Sequence, residues 1–336
     1  MCQESILLSV VIVSYNTREL TLKCLDTLYQ RCDGLDPEVR VVDNGSQDGS
    51  AEAIRERFPQ VTLIESDRNL GFGGANNLGM EGARGRFFLL LNSDAFPQPG
   101  ALKALCDFLE AHPDVGAVGP RLENLDGTLQ KSCYRFPSPV RVLAENLLLV
   151  AAFPNNAIWG DYRAFDHDTL RYVDFVSGAA FVVRREVFEK TGGFDDGFFV
   201  YAEETDWQLR MHKAGWKVAF VPNMTVVHYG GQSSTAIKDR QFCEFHRSQL
   251  RFLRKHYGPV AALFARGAMC LGAVVRMTIW NLLSVIKPSR RAELKPQIQL
   301  WVRILKWYLW MGPHEGIREL AQQSGSAQQA ALPPVA

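Results

Sequence analysis

The first 120 residues alternate between two hydrophobic periods, and few folds accommodate that alternation. Residues 7–14 are β-branched and uncharged, like a strand covered on both faces. Leu20, Leu25 and Leu28 follow at helical spacing. The pattern then predicts strands at 39–43, 61–65, 87–91 and 115–118, and helices at 51–58, 76–82 and 102–110. Strands and helices in alternation, with short connections, mean a parallel sheet with crossover helices. Ligands of such sheets sit outside the carboxyl ends of the strands, so the residues just past each strand carry the argument.

Those residues are polar four times in a row. The first strand ends in Ser14-Tyr15-Asn16 and the second in Asp43-Asn44-Gly45-Ser46-Gln47-Asp48-Gly49-Ser50. The third leads to Asn69-Leu70-Gly71-Phe72-Gly73-Gly74-Ala75-Asn76-Asn77, and the fourth ends in Asn92-Ser93-Asp94. One such end is an ordinary turn; four on one sheet edge indicate a polar binding site. The run 71–77 lacks the third glycine of G-x-G-x-x-G and follows the third strand, so it is not a dinucleotide fingerprint. No P-loop, H-E-x-x-H or G-x-S-x-G occurs.

Farther along, Pro137, Pro139 and Pro154 break up residues 121–174, which read as a loop-rich, acceptor-side insertion. A strand interrupted by Ser177-Gly178 is expected at 173–183, a turn at Gly192-Gly193-Phe194-Asp195, and a helix with acids in its first turn at 203–214. Short strands are expected at 217–221 and 225–228.

Taken in order, these motifs resemble the family 2 glycosyltransferases, and in particular their rhamnosyltransferase-like branch. The segments are 10–16, 42–50, 69–73, 90–94, Gly193-Phe194-Asp195 with Glu203-Glu204-Thr205-Asp206, and 228–233. The likeness covers residues 7–235 and implies a GT-A fold, a nucleotide-sugar donor, a divalent metal and inversion at the anomeric carbon. By the same resemblance Asp43 contacts the nucleotide, as do residues of the 14–16 segment. Tyr15 either stacks on the base or is simply buried. Asn69, Asn76, Asn92 and Ser93 complete the expected donor-binding set.

A diphosphate leaving group carries charge that Mg²⁺ or Mn²⁺ neutralises, held by one or two carboxylates and phosphate oxygens. Asp94, at the end of an apolar strand, is the expected ligand. The family's usual D-x-D is Asn92-Ser93-Asp94 here, with one carboxylate replaced by an amide. His228 resembles a later family histidine that reaches the metal; a purely structural histidine is the alternative. The acceptor hydroxyl needs a base. The resemblance assigns it to the second acid of an E-D pair opening a helix, which here is Glu204. Glu203 and Asp206 leave the register open, and all three acids would in any case favour a helix N-terminus.

The net charge of +1 hides a split. Residues 1–237 carry 22 Lys and Arg against 31 Asp and Glu, whereas residues 238–310 carry 14 against 3. The basic part is also apolar. Only Arg266 and Arg276 interrupt residues 259–286; ten positions apart, they lie about 80° apart around a helix. That favours a helix lying in a membrane interface over one crossing it. In 294–311, Lys295, Gln299, Arg303 and Lys306 share one face, with Trp301, Ile304 and Leu305 filling much of the rest. A helical pair packed on the catalytic domain, or a homo-oligomer interface, is the alternative. Nucleic acid is not expected, because the region is too apolar for a phosphate-reading arm.

The expected organisation is an α/β, GT-A type domain at 5–240 with a mainly parallel central sheet. C-terminal amphipathic helices at 241–320 would associate with an anionic membrane surface, followed by a disordered tail at 321–336. Seven cysteines with no C-x-x-C pair fit a reducing compartment, and Glu4 stands where a signal peptide would be basic. The expected reaction moves a sugar, rhamnose from dTDP-rhamnose by resemblance, to a lipid-linked glycan on the cytoplasmic face of the plasma membrane, with the protein bound peripherally. Two other classes compete: a nucleotidyltransferase, which would release pyrophosphate, and a non-catalytic nucleotide-sugar-binding protein.

Overall fold

A computed structural model describes residues 6–32, 34–156, 158–160, 165–230 and 238–310. The expected tail, and residues 231–233 of the last motif, lie outside them. Four parallel strands form one half of the sheet: β1 (Leu8–Ser14), β2 (Glu38–Asp43), β3 (Thr62–Glu65) and β4 (Phe87–Asn92), in the order β3-β2-β1-β4. Helices α1 (Arg18–Gln30), α2 (Ser50–Arg57) and α3 (Gly71–Met80) make the crossovers. Strands β1 and β4 are largely apolar because both their faces are covered. Val10 and Ile12 face Leu25 and Leu28 of α1, while Val11 faces Met80 of α3. Fully burying each such side chain contributes about 2 kcal/mol.

Helix α3 begins at Gly71, earlier than the expected 76–82. The glycines that read as loop are its first turn, and they permit close packing. A Cβ at Gly79 would meet Val11 Cγ1 at 2.3 Å, and one at Gly71 (φ +78°) would meet the Phe199 carbonyl at 2.4 Å.

The other half of the sheet is mixed. Strand β5 (Ala95–Pro97) and helix α4 (Ala101–Ala111) lead to β6 (Val115–Glu123), which forms a hairpin with β7 (Leu129–Gln130). Residues 121–174 also hold β8 (Cys133–Tyr134), α5 (Pro139–Asn146), α6 (Leu149–Ala152) and β9 (Arg171–Val173). The expected strand at 173–183 is divided. β10 (Phe175–Val176) pairs with β8, while β11 (Ala180–Arg184) inserts antiparallel between β4 and β6. After α7 (Arg185–Thr191) and α8 (Glu203–Lys213), the two strands expected near 217–228 are one bulged strand, β12 (Lys217–His228), parallel to β6.

Helix α9 (Lys238–Ile286) is broken at Gly258, whose φ of 87° is non-helical, and Pro259 restarts it. After a short 3₁₀ turn, α10 (Arg291–Trp310) runs back along its second half. Trp301, Ile304 and Tyr308 are buried there with Ala265, Met269 and Val142 of α5. The two arginines differ from the sequence expectation: they turn inward. Arg266 donates to the Tyr308 carbonyl, and Arg276 to the carbonyls of Asn146 and Glu145. The outer face of α9 is therefore uninterrupted, and Val260, Leu263, Leu271, Val274, Leu282 and Val285 are exposed along it. The stretch is long and apolar enough to cross a membrane.

Candidate active site

The ends of β2, β1 and β4 lie side by side, because Ser14 registers with Asp43 and Val13 with Asn92. Short side-chain bonds join the loops beyond them. Asn16 (φ 52°) donates its N–H to Ser46 Oγ at 3.0 Å and accepts from Gln47 N–H at 2.8 Å. Asp48 accepts from the N–H groups of Arg18 and Ser50, so it ties the starts of α1 and α2 together. Ser14 is buried, with its Oγ 2.9 Å from Thr21 Oγ1, and Ser93 Oγ lies 3.2 Å from Thr17 Oγ1. Tyr15 is half-buried, and its ring meets no other aromatic among the described residues.

Asp43 is 4% exposed. Its Oδ2 accepts from Ser46 N–H at 3.1 Å, while its buried Oδ1 has no partner among the described residues. Burial pushes its carboxyl up, against the hydrogen bonds from Ser46. Asn69 uses its Oδ1 in the turn, accepting from Gly71 N–H and Asn44 Nδ2. Asn76 departs from expectation: its amide donates to Phe72 O at 2.9 Å within α3, so it is a buried helix residue rather than part of the cleft.

Asp94 and His228 come together because β5 turns back onto the end of β12, pairing Ala95 with His228. Asp94 Oδ1 lies 3.2 Å from His228 Nε2, and Asn92 Nδ2 lies 3.3 Å from the same nitrogen. One carboxylate and one imidazole suit Mg²⁺ or Mn²⁺ when substrate supplies the remaining oxygens. Among the described residues no third His, Cys, Asp or Glu joins them. His228 Nδ1 lies 2.7 Å from Gln130 Oε1. Nothing near Gln130 in the sequence reveals this contact.

The three acids of α8 part company. Asp206 is wholly buried and bonded to His256 (2.8 Å), Lys255 (2.6 Å) and Arg210 (2.9 Å). Burial alone would raise its pKa; the bonds from His256, Lys255 and Arg210 reverse this and hold it at about 2. Asp206 is thus an ion-pair anchor for α9 and not a base, contrary to the sequence expectation. Glu203 is buried with its Cβ close to Gly73, and Glu204 lies close to Gly178. In both, Oε2 is buried without a partner among the described residues. Burial pushes both carboxyls up; the Glu204 charge adds to the rise at Glu203, while backbone N–H groups oppose it at Glu204.

Comparison with known proteins decides the family. The profile of Glycosyl transferase family 2 matches residues 9–192. The chain is a family 2 glycosyltransferase. This glycosyltransferase is 32% identical to N-acetylglucosaminyl-diphospho-decaprenol L-rhamnosyltransferase of Mycobacterium tuberculosis, over 76% of its own length and 87% of the relative's. Its fold resembles that of the mannosyltransferase PcManGT from Pyrobaculum calidifontis, solved with GDP-Man and Mn²⁺. The TM-score is 0.54 at 20% identity, over 90% of this chain and 87% of that one. GalNAc-T7, solved with UDP, GalNAc and Mn²⁺, aligns with a TM-score of 0.53 at 15% identity, over 75% and 48%. The GT-A fold expected from sequence is the fold found.

Proposed function

We propose that this glycosyltransferase moves rhamnose from dTDP-rhamnose to a lipid-linked glycan, with inversion at the anomeric carbon, at the cytoplasmic face of the membrane. The mycobacterial relative, with its lipid-diphosphate acceptor, supports the sugar and the acceptor class. The observation that carries the mechanism is the buried, unpartnered Oε2 of Glu204 at the head of α8. A carboxylate with a raised pKa and a free oxygen is suited to take a proton.

In this reading Asp43 Oδ1 accepts from the base or ribose, with residues 14–16 beside it. Asn92 and Ser93 flank the diphosphate. Asp94 and His228 hold Mg²⁺ or Mn²⁺, which when bound offsets charge on the departing diphosphate. The acceptor oxygen attacks the anomeric carbon as its bond to the diphosphate breaks. Glu204 takes the hydroxyl proton, and the nucleoside diphosphate leaves. The exposed apolar stripe of α9 supports contact with lipid, and the exposed Lys287, Arg290, Arg291 and Lys295 at the turn into α10 supply charge for anionic headgroups.

Calorimetric titration with dTDP, UDP and GDP, each with and without Mn²⁺, tests the site. Mn²⁺-dependent binding of dTDP that Asp94→Ala abolishes is the expected result. Equal binding without metal, or by Asp94→Ala protein, would overturn it. Glu204→Gln is expected to retain nucleotide binding and to lose transfer by about 10²–10⁴-fold.

A further inference from the structure

We propose that the β6–β7 hairpin fixes the tautomer of His228, acting through Gln130, so that the ring offers a lone pair beside Asp94. The proposal rests on the reading above, in which Asp94 and His228 hold the metal ion.

The direction of each hydrogen bond follows from the one before it. Asp126 accepts both from the N–H of Thr128 (3.0 Å) and from its hydroxyl (2.6 Å). These bonds hold the Asp126 carboxyl below its ordinary range, so it is ionised and only accepts. The single hydroxyl proton of Thr128 is thereby committed, and Thr128 Oγ1 accepts from Asn124 Nδ2 at 2.9 Å. The other end of that amide, Asn124 Oδ1, accepts from Gln130 Nε2 at 3.1 Å. Gln130 then presents Oε1 to His228 Nδ1 at 2.7 Å. An amide oxygen cannot donate, so Nδ1 carries the proton. Asn92 Nδ2, which can only donate, lies 3.3 Å from Nε2, so Nε2 accepts there and keeps its lone pair. That nitrogen lies 3.2 Å from Asp94 Oδ1. A lone pair facing a carboxylate oxygen is stabilised by a cation bound to both.

The hairpin is built to hold this order. Its turn is closed by Gly127 N–H to Asn124 O and Asn124 N–H to Thr128 O, with Gly127 at φ +78°. Leu122 and Glu123 register with Gln130 and Leu129. On the far side, a Cβ at Gly230 (φ +59°) would come within 3.0 Å of Gln130 Nε2, so a side chain there would crowd the amide. Gln130 is a positioning residue: it acts on the ion only through His228. An outer partner of this kind typically changes metal affinity by about 10–100-fold.

The test reads the ring before any metal is added. In full-length protein with ¹⁵N-labelled histidine, assigned with His228→Gln, His228 should show a protonated Nδ1 and a bare Nε2. Gln130→Leu should lose this fixed tautomer and weaken Mn²⁺ binding, measured with the nucleotide that binds the site, by about 10–100-fold. Thr128→Val, which keeps the turn's volume, should mix the tautomers even if Gln130→Leu misfolds. Gln130→Leu and Thr128→Val proteins that keep the wild-type tautomer and Mn²⁺ affinity, while Asp94→Ala weakens Mn²⁺ binding, would overturn the proposal and leave the metal reading standing. Unchanged Mn²⁺ binding in both Asp94→Ala and His228→Ala would instead overturn the metal reading, and the proposal with it.

Discussion

Asp206 Oδ1 and His256 Nε2 meet at 2.8 Å and join the helix that opens with Glu203 and Glu204 to the first half of α9. Lys255 reaches the same oxygen, and Arg210 reaches Oδ2. A wholly buried carboxylate therefore holds three nitrogen-bearing partners. Asp206→Asn should cost about 3 kcal/mol, because it leaves those partners without their counter-charge. The pH dependence has a definite sign. The folded pKa, about 2, lies below the ordinary 3.8, so the stabilisation is complete above pH 4 and disappears as pH falls toward 2. Its size is about 2 kcal/mol. Urea unfolding at pH 7 and pH 3 checks both statements; an Asp206→Asn protein with a wild-type acid slope would contradict them.

The two glutamates before Asp206 can be separated by kinetics. Burial, and after it the Glu204 charge, push the Glu203 carboxyl up, and Glu203→Gln removes the ionisable group while nearly keeping its shape. Transfer by that variant should stay within a few-fold of wild type. Transfer by the unmodified protein should fall on acidification with an apparent pKa above the ordinary 4.5, as Glu204 takes up its proton. A pH–rate profile of the wild type and both Gln variants decides which acid is the base.

Strain sits immediately before this helix. Tyr201 and Ala202 hold φ of 67° and 66°, a region that L residues occupy at a cost of about 1 kcal/mol or more. Ala202→Gly should raise the urea midpoint, by up to about 1 kcal/mol in stability. It should also lower kcat, because the head of α8 is held less firmly.

The outer stripe of α9 offers a direct test of membrane contact. Leu263→Glu with Leu282→Glu places two charges on an exposed apolar face without touching the buried side that meets α10. Sedimentation with anionic liposomes should fall at least tenfold while the thermal unfolding midpoint stays within a few degrees. Undiminished sedimentation would rule out the stripe as the contact.

Much of this was readable in the residues. Strands β1 and β4 are largely apolar because both faces are covered, and the polar ends of β1, β2 and β4 meet as neighbours in the sheet. Other features depend on partners remote in the chain. The 71–74 glycines read as loop, yet they form the first turn of α3, with Gly71 packed on Phe199 and Gly73 on Phe194. Arg266 and Arg276 looked like breaks in an apolar surface because their carbonyl partners belong to α10 and α5. Asp206 stayed open as an alternative to Glu204, since Lys255 and His256 are about fifty residues away. The Gln130–His228 bond joins residues 98 positions apart.

Insertion of β11 between β4 and β6 also orders events during synthesis. The parallel half of the sheet is complete once Asn92 has emerged, but the other side of β4 waits for residues 180–184. Until then Phe87-Phe88-Leu89-Leu90-Leu91 lies at an open edge, the kind of strand that pairs with other chains. Fragments ending before Ala180 should therefore aggregate, even though they contain Asp43 and Asp94. The last strand to arrive is the one that brings His228, so the cleft is assembled only when β12 docks.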